Sequence, residues 1–241
     1  MIYTKHKICF VHVPKCGGQS IKSAVERSYR SRLKTVRIKA AASLRASTVG
    51  QEYASANLFP YRENLVRYFL SDETNGLVMG HFPSSLETVE SFLDWSFVTL
   101  LRDPVDRFLS HYYYNSHKKS DHFKLEHDLD SFVLTEQAKG LGEIYVNYFT
   151  KKSDSAARVQ EAKDALTKFH LVGILEDLQE FKSRYSAIFG RSLKIPTENR
   201  NPADRKKEEG KISPEILDKI RALCEPSREI YEFAKQLNKN G

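Results

Sequence analysis

The sequence has few residues that could cross-link the chain or bind a structural metal ion. Its 241 residues include only three cysteines, Cys9, Cys16 and Cys224. They are odd in number, far apart and without a Cys-x-x-Cys pair, which argues against both a disulfide framework and a zinc site. This cysteine usage fits a reducing compartment best, and we therefore expect a cytoplasmic protein.

Long apolar runs are also missing. No run approaches the roughly 20 residues needed to span a bilayer. The apolar stretch 8–13 follows basic residues, but it is shorter than the roughly 7–15 residues of a signal-peptide core. It also runs into Pro14 and Lys15 instead of a small-residue cleavage site. We therefore interpret it as a strand of the mature protein and expect no membrane association.

The composition is that of a globular protein with a basic surface. Hydrophobic residues make up 40% and charged residues 29% of the chain, which argues against disorder. At this length we expect one α/β domain over residues 1–241. The formal net charge of +7 favours anionic partners such as nucleotides, nucleic acids or acidic sugars, without choosing among them.

Short, apolar, β-rich stretches alternate with helical patterns. Four buried strands are predicted, at residues 8–13, 76–80, 96–101 and 169–174. This alternation favours a three-layer, P-loop-like α/β fold in which a central, mostly parallel sheet is flanked by helices.

Helices are predicted around these strands. One begins near Gln19 and another covers residues 177–189. Residues 40–70 are expected to be helical with a break at Pro60, and residues 125–168 to form several short helices. Further predictions are a mobile, charge-rich loop at 197–210 and a final helical region from Pro214.

Three polar residues lie just beyond the ends of predicted strands: Lys15, His81 and Arg102. Ligands of parallel α/β sheets bind beyond the carboxyl ends of the strands, so these residues are candidates for one site. Between the first strand and its helix, unpaired main-chain N–H groups and the helix dipole can bind an anion. The loop differs from the GxxxxGK[ST] motif because its lysine precedes the glycine pair. The alternative is that Gly17 and Gly18 only form a tight turn.

The stretch FVHVPKCGGQSI, residues 10–21, resembles the 5′-phosphosulfate loop of sulfotransferases that use PAPS (3′-phosphoadenosine 5′-phosphosulfate), especially the carbohydrate sulfotransferases. The resemblance implies that Lys15 contacts the 5′-phosphate and the bridging oxygen. It also implies that the following residues bind the donor: Cys16, Gly17, Gly18, Gln19 and Ser20. The family commonly has Thr at the position of Gln19, which leaves a main-chain contact there.

A second stretch, FVTLLRDPVDRFLSHYYY at residues 97–114, resembles the 3′-phosphate motif of the same family. It implies that Arg102 and Ser110 bind that phosphate. A guanidinium at a strand end and a hydroxyl two helical turns later can converge on one anion. The alternative is a surface ion pair between Arg102 and Asp106, with Ser110 uninvolved.

His81 follows the strand GLVMG and resembles the strand-end histidine that acts as a base in several carbohydrate members. A neutral imidazole can take a proton from an acceptor hydroxyl. The alternative is a histidine that only bonds the main chain at the sheet edge. His12 is expected to pack inside the protein. The other histidines singled out are expected on helix surfaces or loops: His111, His117, His122 and His127.

Two further groups are open to two interpretations. Arg205 and Lys206 lie where the equivalent region of sulfotransferases folds over the nucleotide, but a solvated charge run is about as plausible. Tyr112, Tyr113 and Tyr114 could offer a sugar-stacking surface, although aromatic residues on a helix beside a sheet are more often core.

The predicted function is transfer of a sulfonate group from PAPS to an acceptor hydroxyl, on a carbohydrate or a small metabolite, with release of PAP and without a metal ion. One alternative is an ATP-dependent kinase with a degenerate phosphate loop. The sequence offers no clear carboxylate pair at the sheet edge to hold its Mg²⁺. The other is a basic nucleic-acid-binding domain, which would spread its basic residues along one face. We expect no nucleic-acid partner.

Overall fold

The sheet forms the centre of the molecule. The computed structural model describes residues 7–30, 37–40, 49–50, 52–55, 57–118, 124–151, 155–195 and 212–240. In these ranges five strands form one sheet: β1 (Lys7–Val11), β2 (Arg37–Ala40), β3 (Asn75–Gly80), β4 (Trp95–Leu101) and β5 (Leu171–Ile174). Their spatial order is β2-β3-β1-β4-β5, and each neighbouring pair runs parallel. The predicted α/β fold with a central parallel sheet is confirmed.

Helices surround the sheet. Those of the described ranges are α1 (Gly18–Arg30), α2 (Leu58–Ser71), α3 (Leu86–Ser91), α4 (Pro104–Ser116), α5 (Leu129–Phe132), α6 (Glu136–Gly142), α7 (Ile144–Phe149), α8 (Ser155–Thr167), α9 (Leu178–Phe189) and α10 (Pro214–Asn240). A 3₁₀ turn, Leu175–Asp177, joins β5 to α9. Within this part of the chain, no helix is both long and apolar enough to cross a membrane.

The strand β1 lies at the middle of the sheet and contributes to both faces. Ile8 and Phe10 pack into a cluster with residues of α1 and α9, whereas Cys9 and Val11 pack into a cluster with residues of α2, α7, α8 and α10. Alternate side chains of a strand point to opposite faces, and because helices cover both faces the whole strand is apolar. This explains the uninterrupted hydrophobic runs in the sequence.

The helix α4 begins directly behind β4 because the local sequence specifies that start. The Asp103 side chain accepts a hydrogen bond from the main-chain N–H of Asp106 at 3.0 Å, and Pro104 occupies the first helical position. An acidic N-cap followed by proline is a strong helix-initiation signal. The strand end at Arg102 is therefore followed at once by the helix that contains Ser110.

The region of β2 and α2 differs from the sequence analysis in two ways. The sequence analysis did not predict β2, whose four residues Arg37–Ala40 form an edge strand and include two basic residues. Its basic and apolar residues alternate, but four residues with two charges are a weak strand signal. The predicted break in the helical stretch 40–70 lies just before Pro60, between helical residues at 49–50 and 52–54 and the start of α2 at Leu58. Pro60 itself lies in the first turn of α2, where a missing N–H costs nothing.

The other predicted elements agree with the structure within a few residues, including the short helices α5 to α8 and the final helix α10. The predicted loop at 197–210 lies outside the described residues. The single domain over residues 1–241 stays a prediction.

Candidate active site at the carboxyl edge of the sheet

The loop between β1 and α1 has an unusual main-chain conformation. Lys15 has a φ of 70° and Gly17 a φ of 90°. A positive φ is uncommon for a residue with a side chain, and it is found at sites where the surrounding structure enforces it. A Cβ atom on Gly17 would collide with Cδ1 of Ile21. Only glycine therefore fits where the loop turns into α1.

The first turn of α1 contains Gly18, Gln19 and Ser20, and no acidic residue. The first N–H groups of a helix have no partner within the helix, and the helix dipole makes this end positive. The predicted anion-binding segment is thus a loop that leads directly into a helix N-terminus.

The ammonium group of Lys15 contacts α4. Its Nζ atom lies 3.4 Å from the centroid of the Tyr114 ring, and the Tyr114 side chain is exposed. Tyr114 is one helical turn beyond Ser110, so the two side chains lie on the same face of α4. The contact therefore brings the loop of the first motif to the helix of the second motif.

Arg102 connects the two motifs a second time. Its Nη1 group donates a hydrogen bond to the carbonyl oxygen of Lys15 at 3.4 Å. Its Nη2 group also forms the ion pair with Asp106, at 3.6 Å, that the sequence offered as the alternative. The Asp106 side chain is about half exposed, so this pair is weak and can yield to a stronger anion. The structure thus places Lys15 and Arg102 in direct contact.

The Cys16 side chain faces the protein core. Its Sγ atom lies 3.5 Å from the hydroxyl of Tyr145, and burial raises the pKa of the thiol to about 11. The thiol is therefore uncharged at neutral pH and turned away from solvent. Any contact between Cys16 and a donor would come from the main chain.

His81 is fixed in one tautomer by a main-chain hydrogen bond. Its Nδ1 atom lies 2.7 Å from the carbonyl oxygen of His12. A carbonyl can only accept, so Nδ1 carries the proton and Nε2 carries the lone pair. The two imidazole rings stack with centroids 4.5 Å apart. The main-chain bond that the sequence offered as an alternative role is thus present, and it leaves Nε2 available as a base.

The surroundings of His81 keep its ring neutral. Burial lowers the pKa of His81 below its usual 6.5, the bond to His12 opposes this, and the charges of Arg62 and Lys22 lower the pKa further. Arg62, on α2, is buried and donates to the His81 carbonyl oxygen at 3.3 Å. A positive environment disfavours the imidazolium ion, so the His81 ring is uncharged at neutral pH and can accept a proton.

Two more histidines belong to this region. Burial is the first cause that lowers the pKa of both His12 and His111 to about 3. The expected packing role of His12 is confirmed, since the residue is buried. His111 lies on helix α4 as expected but is only partly exposed, and its Nδ1 atom is buried without a hydrogen-bond partner among the described residues. After burial, the charge of Arg107 and then that of Lys15 lower the His111 pKa further.

The remaining predicted residues are exposed, buried in the core or outside the described ranges. His117 and His127 are exposed, as predicted, and His122 lies outside the described residues. Tyr112 is buried and its hydroxyl donates to the carbonyl of His127, so it belongs to the core. Arg205 and Lys206 also lie outside the described residues.

Within the ranges that the structure describes, no cluster of three or more His, Cys, Asp or Glu side chains could hold a metal ion. The metal-free reaction stays a prediction.

Sequence reasoning missed two buried residues at this edge, Arg62 and Tyr145. Tyr145, on α7, accepts a hydrogen bond from the Arg102 main-chain N–H at 2.9 Å and donates to the Arg102 carbonyl. Both residues lie in stretches that match no motif, and they reach the site only through packing of their helices. No signal in a single sequence would have found them.

This arrangement defines a class of protein: a parallel α/β domain with an anion-binding loop and a basic strand end at the carboxyl edge of its sheet. A sequence profile of a family described as "Sulfotransferase family" matches residues 1–234. The chain therefore belongs to the sulfotransferase family, whose members generally use PAPS as the sulfonate donor. A search of curated proteins finds no match to this chain.

Proposed function

We propose that this protein is a PAPS-dependent sulfotransferase that moves the sulfonate group to a hydroxyl of a carbohydrate or small metabolite and releases PAP. Family membership supports the reaction class. The observation that carries the donor assignment is the hydrogen bond from Arg102 to the carbonyl of Lys15. It joins the residue proposed for the 3′-phosphate to the loop proposed for the 5′-phosphosulfate.

On the donor side, the first N–H groups of α1 and the Gly17 turn hold the 5′-phosphate, and Lys15 neutralises charge on the oxygen that leaves sulfur. Gly18, Gln19 and Ser20 contribute through the helix N-terminus, and Cys16 through its main chain. Arg102 and Ser110 take the 3′-phosphate, for which Arg102 exchanges its exposed partner Asp106.

On the acceptor side, Nε2 of His81 takes the proton of the acceptor hydroxyl as that oxygen forms its bond to sulfur. The bond between sulfur and the phosphate oxygen breaks in line, and its electron pair leaves with PAP. The bond from Nδ1 to the His12 carbonyl stabilises the imidazolium ion that forms. Positioning and electrostatics supply most of the rate enhancement, as in phosphoryl transfer.

The proposal includes several features that rest on the sequence. Arg205 and Lys206 are included among the donor-binding residues because of the family resemblance, and the reaction needs no metal ion. The protein acts in the cytoplasm, with no nucleic-acid partner and no membrane association. A carbohydrate is the preferred acceptor because the motifs at residues 10–21 and 97–114 are most similar to those of the carbohydrate sulfotransferases.

The experiment titrates the protein with PAP alone and, separately, with ATP plus Mg²⁺. Calorimetry measures binding and thermal melts measure stability. PAP at 100 times its dissociation constant should add about 2.7 kcal/mol to the free energy of unfolding. Stabilisation by ATP and Mg²⁺ but not by PAP would indicate a kinase. Binding of nucleic acid with a steep salt dependence, and not of PAP, would indicate the binding domain.

Arg102→Ala tests the assignment of the 3′-phosphate in the same assay. Loss of a charge-assisted contact of about 1.5–3 kcal/mol should weaken PAP roughly 10- to 100-fold. Adenosine 5′-phosphosulfate lacks the 3′-phosphate and should lose far less affinity. Equal losses for both nucleotides would remove Arg102 from this role.

A further inference from the structure

Tyr145 is fully buried, yet its hydroxyl contacts both motifs of the proposed donor site. The hydroxyl oxygen accepts the Arg102 N–H at 2.9 Å, and the hydroxyl proton goes to the Arg102 carbonyl. The Sγ atom of Cys16, in the loop after β1, lies 3.5 Å from the same oxygen. One side chain on α7 thus connects a strand end with a loop that is distant in the sequence.

The hydrogen bonds can all form at once with one arrangement of protons. Tyr145 has a single proton, which the Arg102 carbonyl accepts, so the Cys16 thiol can act only as the donor toward the Tyr145 oxygen at 3.5 Å, where the Pro14 carbonyl at 3.9 Å is its competing acceptor. Burial raises the pKa of both Tyr145 and Cys16, so both groups keep their protons at neutral pH. The connection does not change its protonation over the physiological range.

The main chain of Tyr145 is held in place by hydrogen bonds that involve α10. Its main-chain N–H donates to the hydroxyl of Ser227 on α10 at 3.3 Å, and that hydroxyl donates to the carbonyl of Gly142. Gly142 packs so closely on the main chain of Leu223 that a Cβ atom there would collide with the Leu223 carbonyl oxygen. The Tyr145 hydroxyl therefore extends from a close contact of α6 and α7 with α10.

We propose that Tyr145 is a positioning residue for donor binding: its hydroxyl fixes the Arg102 main chain and the Cys16 loop in the relative geometry that binds both phosphates of the donor. This inference rests on the proposed function. Tyr145 is buried behind the loop and the strand end, so it acts through Arg102 and Lys15, whose direct hydrogen bond depends on that geometry.

The test is Tyr145→Phe, which keeps the ring and removes only the hydroxyl. We expect PAP to bind about tenfold more weakly to this variant, the equivalent of about 1.4 kcal/mol. In an Arg102→Ala background the same change should cost less than about threefold, because residues that act through one another are not additive. Thermal melts without ligand report separately on folding.

Tyr185→Phe is the matched control. Tyr185 is also buried, and its hydroxyl lies 3.3 Å from that of Ser28, on the other face of the sheet. Removing the Tyr185 hydroxyl should lower the melting temperature about as much as Tyr145→Phe does and should leave PAP affinity unchanged. If Tyr145→Phe fails to fold, Cys16→Ala removes the loop side of the connection alone and should weaken PAP about threefold.

The outcomes separate the two claims. A wild-type protein that does not bind PAP would overturn the proposed function and this inference with it. A wild-type protein that binds PAP, together with a folded Tyr145→Phe variant of equal affinity, would overturn this inference alone. Fully additive losses for Tyr145→Phe and Arg102→Ala would also overturn it, since they would assign to Tyr145 a general structural role.

Discussion

The Nζ atom of Lys15 lies 3.4 Å from the centroid of the Tyr114 ring. Lys118, one turn further along the chain, approaches the same ring at 5.2 Å. The exposed aromatic ring thus lies close to two cations at the edge of the proposed donor site. A cation over an aromatic face at an exposed position gains about 0.5–1 kcal/mol, enough to orient a flexible lysine side chain.

Tyr114→Ala should therefore weaken PAP about two- to fivefold, since Lys15 would have to be ordered by the ligand alone. Tyr114→Phe keeps the ring and should bind PAP like the wild type. Tyr68→Ala removes another exposed tyrosine, on α2, and serves as the control in the same calorimetric titration. Tighter binding by Tyr114→Ala would show instead that the ring competes with the donor for Lys15.

Gly17 and Gly140 form a matched pair for testing the loop. Gly17→Ala places a side chain against Ile21 at a φ of 90°, so it should destabilise the protein by roughly 1–3 kcal/mol and impair PAP binding. A Cβ atom on Gly140, in α6, meets no atom within 4 Å. Gly140→Ala should thus be neutral or stabilise by up to about 1 kcal/mol. Urea denaturation and PAP titration would measure both effects. Normal PAP binding by Gly17→Ala would contradict the loop assignment.

Kinetics can distinguish the proposed role of His81 in catalysis from the proposed role of Lys15 in donor binding. His81→Ala should keep its affinity for PAP and lose roughly 10²- to 10⁴-fold in turnover, the usual contribution of a positioned general base. Lys15→Ala should instead lose both binding and turnover, because its charge acts before and during transfer. Near-normal turnover of His81→Ala would leave the base to be found elsewhere.

The pH dependence of the same reaction gives a second criterion for His81. Its pKa is lowered from 6.5 by burial, so the base form persists below pH 6.5. The wild-type profile of kcat/KM should consequently stay level as the pH falls to 6.5 and decline only below it. This acid limb should be absent from the residual activity of His81→Ala.

Stability should fall with acid because the buried His12 and the partly buried His111 favour the neutral form. The pKa of His12 and of His111 is about 3 in the folded protein and about 6.5 in the unfolded chain. The unfolded state binds more protons between these values, so stability is complete above pH 6.5 and is lost as the pH falls. Each residue contributes up to about 1.4 kcal/mol per pH unit.

Denaturant unfolding at pH 7 and at about pH 5 would measure this loss. His111→Gln cannot titrate and should make the decline shallower by one histidine's contribution. His117→Gln changes an exposed residue at the end of α4 and should leave the slope unchanged. A slope unaffected by His111→Gln would show that His111 protonates freely in the folded state.

The strand ends were predictable because each combines a buried β-rich run with a polar residue at or shortly after its end, as at Lys15, His81 and Arg102. The spacing of hydrophobic residues and the residue types that form turns can both be recognised within a short stretch of sequence. The strand β2 gives a weaker local signal, because only four residues alternate and two of them are charged, and its pairing with β3 completes the strand.

The inner wall of the site was hidden for a different reason. Tyr145 lies in an apolar stretch that indicates only a short buried helix, and its polar role depends on the approach of Arg102 and Cys16. His111 sits between polar and aromatic neighbours that suggest an exposed face, whereas its Nδ1 atom is buried in the folded protein. Such roles arise from tertiary contacts, which a single sequence does not encode locally.

The most direct test of the proposed reaction follows the transferred group itself. The protein is incubated with PAPS carrying a labelled sulfonate and with a mixture of oligosaccharides and small hydroxyl-bearing metabolites, in the presence of a metal chelator. The account predicts label on at least one acceptor, with an equal amount of PAP formed, and no transfer by Lys15→Ala. Transfer of the γ-phosphate of ATP to the same mixture in the presence of Mg²⁺, with no transfer from PAPS, would contradict it.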